Sequence, residues 1–287
     1  MNIFKTTILM ALLTGLMVAI GGAINGSTGA VIMLVISLGM NFFSYWFSDT
    51  MVLKMYDAQE ISESDSPQLY GIIKNLAQKA ELPMPRVYII DSDVPNAFAT
   101  GRNPSHAAVA VTTGIMNTLD YNEISGVLGH ELAHVKHRDI LTGTIAASMA
   151  GVISMVANIV QWGAILGTRS DDDNGGLFGT LATIILAPLA ATLIQMAISR
   201  SREYDADKTG AELCGDPRYL ASALEKIEYY AQRNTLDHAS TSTAHMFIIN
   251  PLEGSTKMLK NLFSTHPATE DRIAKLQEQA REMHLLN

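Results

Sequence analysis

The stretch Gly126–Val156, "GVLGHELAHVKHRDILTGTIAASMAGVISMV", joins a His-Glu-x-x-His motif to the start of an apolar run long enough to cross a bilayer. His130 and His134 are four apart, so on a helix they share a face and can present two imidazoles to one ion. Glu131 lies about 100° round, displaced from the ligands but within reach of a bound water. Two neutral imidazoles plus one carboxylate suit zinc, with the fourth position open for water and Glu131 as the base that takes its proton. A buried or surface histidine pair with no metal is the plainer alternative.

The chain of 287 residues is 48% hydrophobic and only 17% charged, too apolar for an ordinary soluble domain. Thr6–Ile24, Gly29–Phe47, Ile140–Gly167 and Leu177–Ile198 each read as a membrane span, and none contains Asp, Glu, Lys, Arg or His. A cleaved signal peptide is a weaker reading of the first, because no small-residue cleavage site follows it. Of the 20 Lys and Arg, all but Arg169 fall on the side of both termini, which places the polar mass in the cytoplasm. Net charge is −8 with no basic run, which argues against nucleic acid as a partner. The single cysteine, Cys214, excludes an internal disulfide framework and reads as an inert thiol at a helix end.

The spans divide the chain into an N-terminal transmembrane hairpin (1–47), a first polar block (48–139), a second hairpin (140–198) and a second polar block (199–287). In the first block Ser66 and Pro67 open a helix whose apolar face is Leu69, Ile72, Ile73 and Leu76. "RVYII", "NAFAT" and "HAAVAVT" read as short strands, and Asp120 with Glu123 as a capping box for the motif helix. In the second block Asp216-Pro217 and Pro267 open helices. The expected class is α+β, a small sheet and helices attached to four membrane helices.

A third ligand should stand at the depth of the histidines. On a continuous helix His134 sits roughly 9 Å from the apolar boundary at Ile140, and Glu203 sits about 7–8 Å past the boundary at Ile198. Depth therefore favours Glu203 over its rivals Asp205 and Glu212. Asp207, one turn on, suits an acceptor for a ligand histidine's N–H.

At "GHELAHVKHRD", "SREYDAD" and "STHPATEDRI" the chain resembles the HtpX heat-shock zinc metalloproteases, bacterial inner-membrane gluzincins related to the CAAX prenyl endopeptidases. The resemblance covers almost the whole chain. It implies one zinc per chain held by His130, His134 and Glu203, Glu131 as base, and Asp207 supporting the histidines. It also implies endoproteolysis of damaged or misassembled membrane proteins at the cytoplasmic face. "PNAFATG" matches the family's edge strand, where Asn96, Ala97, Phe98 and Ala99 could pair main chain to main chain with a substrate; an interior strand is the alternative. Either His266 or Arg272 could stabilise the oxyanion, or else His266 caps its helix and Arg272 pairs with a carboxylate. His137 reads as an interfacial anchor rather than a ligand, and Met246–Glu253 as a lid over the cleft. The competing functions are a transporter with a regulatory metal, disfavoured by the uncharged spans, and a silent scaffold.

Overall fold

The computed structural model describes residues 2–146, 149, 200–233, 247–248 and 267–285. Helix α1 (Asn2–Met55) is two arms joined at a break, because Asn25 (φ −142°, ψ 34°) and Gly26 (φ 58°, ψ −144°) leave helical geometry. The arms fold against each other where side chains are absent: a Cβ on Gly21 would lie 2.4 Å from the Gly29 carbonyl oxygen. Asn41 Nδ2 donates across the hairpin to Thr14 Oγ1 at 2.9 Å. Asn25–Met55 is long and apolar enough to cross a membrane. The expected spans Thr6–Ile24 and Gly29–Phe47 thus fall on helical arms, the second continuing to Met55. Of the other two expected spans, only residues 140–146 and 149 lie among those described.

Beyond α1 come β1 (Gln59–Glu60), α2 (Pro67–Ala80), β2 (Arg86–Ile90), β3 (Ala97–Gly101), β4 (Ala107–Thr112), α3 (Thr113–Thr118) and α4 (Tyr121–Lys136). Residues 140–146 are helical and are termed α5. They are followed by α6 (Arg200–Cys214), α7 (Pro217–Arg233) and α8 (Thr269–Glu282). The sheet runs β1-β2-β4-β3: β2 and β4 are parallel, and β1 and β3 are antiparallel to their neighbours. β3 is therefore an edge, as the match to an edge strand implied, rather than an interior strand.

The sheet is buried on both faces. One packs Val87, Val109 and Val111 against Ile72, Ile73 and Leu76 of α2 and Leu128 and Leu132 of α4, with Leu220, Leu224 and Leu276 completing the core. The other packs Tyr88, Ile90, Phe98, Ala108 and Ala110 against Val52 and Leu53 at the end of α1. Arg86 ties the two parts, donating to Asp49 Oδ2 and to the Tyr88 hydroxyl, both at 2.9 Å. The N-terminal helical hairpin is thus packed into the protein's sheet. Ser66 does stand before α2, but its side chain makes no capping bond; its carbonyl accepts from Tyr70 N instead. Cys214 closes α6 with its thiol donating to the Ala211 carbonyl, and burial pushes that thiol up from its ordinary pKa.

Candidate metal centre

The motif helix α4 opens with the expected capping box: Asp120 Oδ1 accepts from Glu123 N at 2.9 Å, and Glu123 Oε2 accepts from Asp120 N at 2.8 Å. Its other end departs from expectation. The depth estimate assumed one continuous helix from His134 to Ile140, but the chain breaks at His137–Asp139, with Arg138 left-handed at φ 60°. Asp139 N bonds the His134 carbonyl at 2.9 Å and Arg138 N the Val135 carbonyl at 3.1 Å, the pairing that closes a helix in a Schellman motif. The turn brings the Asp139 carboxylate back beneath the helix, 3.4 Å from His134 Nδ1 and 3.5 Å from Arg202 Nη1. His137 caps α4 and lies 3.3 Å from Thr209 Oγ1, outside the ligand group.

α6 crosses α4 at a contact that only glycine permits. A Cβ on Gly210 would lie 2.5 Å from His130 N, and one on Gly129 would lie 2.6 Å from the Gly210 carbonyl oxygen. Those clashes are with backbone, which cannot swing aside. Glu203 lies two helical turns before Gly210 on the same face, so this close crossing delivers its carboxylate to the histidines.

His130 Nε2 and His134 Nε2 are 3.2 Å apart, and they stand 3.7 Å and 3.6 Å from the two Glu203 carboxylate oxygens. A tetrahedral zinc with bonds of about 2.0–2.1 Å separates its ligand atoms by about 3.3–3.4 Å, so the donor set and its spacing fit zinc. His130, His134 and Glu203 form a group able to hold a metal among the described residues. Asp205 and Glu212, the rival ligands, are exposed and lie outside it. The electrostatics agree. Burial alone would lower the pKa of His134, but the carboxylates of Glu203, Asp139 and Glu131 outweigh it and raise the imidazole to about 9. The site favours positive charge.

Behind the ligands, His130 Nδ1 is 2.8 Å from Asp207 Oδ1. Arg272 grips the same carboxylate with two bonds, Nε to Oδ2 at 2.8 Å and Nη2 to Oδ1 at 2.7 Å. Its Nη1 donates to the Ile248 carbonyl at 2.8 Å, and only 1% of Arg272 is exposed. Of the two roles open to Arg272, the structure has it paired with a carboxylate, its guanidinium turned to Asp207 rather than offered to an oxyanion. His266 lies outside the described residues, as does the expected lid apart from Phe247 and Ile248, both buried.

On the opposite side Glu131 Oε2 accepts from the main-chain N–H of Ala99 at 2.9 Å, so the edge strand and the expected base touch directly. Asn96 Oδ1 accepts from Ile248 N at 3.2 Å. Ala97 and Phe98 are buried and Ala99 is partly exposed. Sequence reasoning missed Asp139 and the glycine pair. Asp139 stands beside the motif in "HRD" and was hidden by the assumption of an unbroken helix. Gly129 flanks the motif directly, but its partner Gly210 is known only once the helices are packed.

The model of peptidase family M48 matches residues 63–280. A "Protease HtpX homolog" of Methylibium petroleiphilum is 58% identical over 277 residues, 96% of each chain. Another from Burkholderia multivorans is 57% identical over 285 residues, 98% of each chain. In fold the chain is similar to S. mikatae Ste24p, with a TM-score of 0.52 and 16% identity, over 96% of this chain and 65% of that one.

Proposed function

The chain belongs to peptidase family M48, and on that premise we propose that it is a zinc endopeptidase that cuts misfolded or damaged membrane proteins at the cytoplasmic face of a bacterial inner membrane. Its character as a membrane-associated metallopeptidase follows from the family, the related proteases and the apolar α1. The observation that carries the metal reading is the triangle of His130, His134 and Glu203 atoms at zinc-ligand spacing.

Zinc, when bound, supplies Lewis-acid activation of water and of the scissile carbonyl. The chain's own residues do the rest. Glu131, whose carboxylate the Ala99 N–H holds until substrate pairs with the strand, takes the proton of the attacking water and passes it to the leaving amine. Asp207 fixes the His130 ring through Nδ1, and Arg272 fixes Asp207, so Arg272 is a positioning residue in this reading. We assign the oxyanion to His266 because the Arg272 guanidinium is engaged by Asp207 and Ile248. Of the strand Asn96, Ala97, Phe98 and Ala99, the outward-facing Ala97 and Ala99 offer main-chain pairing to the substrate, which gives binding with little sequence preference. The natural partners are then unfolded or misassembled membrane proteins in the surrounding bilayer, and the gathering of all Lys and Arg but Arg169 on the side of both termini supports an orientation with the termini and the protease part inside the cell.

The deciding experiment is Glu131→Gln in the purified full-length chain with a model membrane substrate. Zinc content should hold at about one per chain while turnover falls at least ~100-fold. Undiminished turnover in that variant would end the mechanism.

A further inference from the structure

We propose that Thr144, at the start of α5, closes one end of the substrate-binding edge, so that substrate main chain is read at Ala97 and Ala99 but not at Gly101. The proposal rests on the peptidase reading and specifies the substrate segment it takes: a short extended stretch that leaves the sheet where α5 begins.

The register decides which edge groups face outward. Thr112 N donates to the Asn96 carbonyl, so Asn96 and every second residue after it bond inward to β4. Ala97, Ala99 and Gly101 therefore turn their N–H and C=O groups away from the sheet. Two of these outward N–H groups have partners that confirm the phase: Ala99 N reaches Glu131, and Gly101 N reaches Thr144 Oγ1 at 3.2 Å.

The two partners differ in kind. Glu131 is a carboxylate at the end of a flexible side chain and can yield. Thr144 cannot. A hydroxyl has one proton and two lone pairs. The Thr144 proton goes to the Ile140 carbonyl at 2.6 Å, and its oxygen accepts from Gly101 N and from the Thr100 hydroxyl at 3.0 Å. All three capacities are used, and both Thr144 and Thr100 are fully buried. A substrate residue opposite Gly101 would need the position the Thr144 side chain fills. The strand is also ended locally, because Gly101 has φ +137° and a Cβ there would lie 2.2 Å from the His106 carbonyl oxygen.

The test is an N-methyl scan along a peptide that the zinc-loaded full-length chain cleaves and its Glu131→Gln variant does not. Failure of the window is thereby distinct from failure of the peptidase reading. Each methyl removes one substrate N–H and should cut kcat/KM about three- to tenfold where that N–H meets an edge carbonyl. The expected pattern is two sensitive positions spaced two apart, with no third on the Gly101 side. Thr144→Ala should add that third position, and Thr144→Ser, which keeps the hydroxyl, should restore the wild-type pattern. Sensitivity that runs past the window in the wild-type chain would overturn the proposal, as would a Thr144→Ala pattern identical to wild type at equal zinc content.

Discussion

Burial should raise the Asp207 carboxyl, yet the Arg272 guanidinium and the His130 imidazole draw it down to about 2 from an ordinary 3.8. A depressed carboxylate contributes stability above its ordinary pKa and loses it as pH falls through the folded one. Asp207 should therefore stabilise the chain evenly above about pH 4, with the contribution lost on the way to about 2. Urea unfolding across that window checks this, and Asp207→Asn should flatten it. Removing Arg272 leaves the carboxylate buried without its partner, so Arg272→Met should cost about 3–5 kcal/mol, and Arg272→Lys should not rescue it because an ammonium cannot make both bonds. His134 carries the opposite sign. In the metal-free chain its raised pKa holds a proton, whose contribution to stability is full below 6.5 and lost as pH rises through about 9. Zinc must displace that proton, so apparent zinc affinity should rise up to about tenfold per pH unit toward pH 9, as read by competition with a chelator of known affinity.

At the level of elements, the site depends on how closely α4 and α6 approach. Gly210→Ala places a methyl against His130 N, and Gly129→Ala places one against the Gly210 carbonyl. Either should cost about 1–3 kcal/mol by overpacking, and the outward shift of α6 should loosen zinc even though no ligand changes. Equal zinc retention in both variants would show that the crossing does not set the ligand spacing. Much of this layer was legible from the sequence. The strands at "RVYII" and "NAFAT" and the α4 capping box are local signals of alternation and turn chemistry, and the structure has them where the residues indicate. The break at His137–Asp139 was not legible, because Arg138 is an unusual residue for a left-handed cap and no glycine or proline marks the stop. The depth agreement between Glu203 and His134 pointed to the carboxylate that the structure sets beside both imidazoles, although α4 stops before α5. Asp139 stayed hidden for the same reason, since its place beside His134 exists only because the helix ends.

Across the whole molecule, the first hairpin and the protease sheet are joined by packing rather than by a linker. α1 continues from its apolar arm to Met55, covers one face of the sheet with Val52 and Leu53, and is pinned through Asp49 to Arg86. Composition and the apolar runs made the membrane character readable at the outset, whereas the helical continuation of α1 past the end of the apolar run at Phe47 to Met55 was not marked by apolar content. Arg86→Ala should loosen this union and raise proteolytic sensitivity near Met55 without changing zinc content. The pairing of His130 and His134 with Glu203 joins α4 to α6, on opposite sides of the second apolar pair in sequence, and the metal site depends on it. Zinc stoichiometry of the purified full-length chain against Glu203→Ala, at matched folding, tests it most directly. About one zinc per wild-type chain and almost none in the variant is the expected result; equal zinc in both would contradict the account.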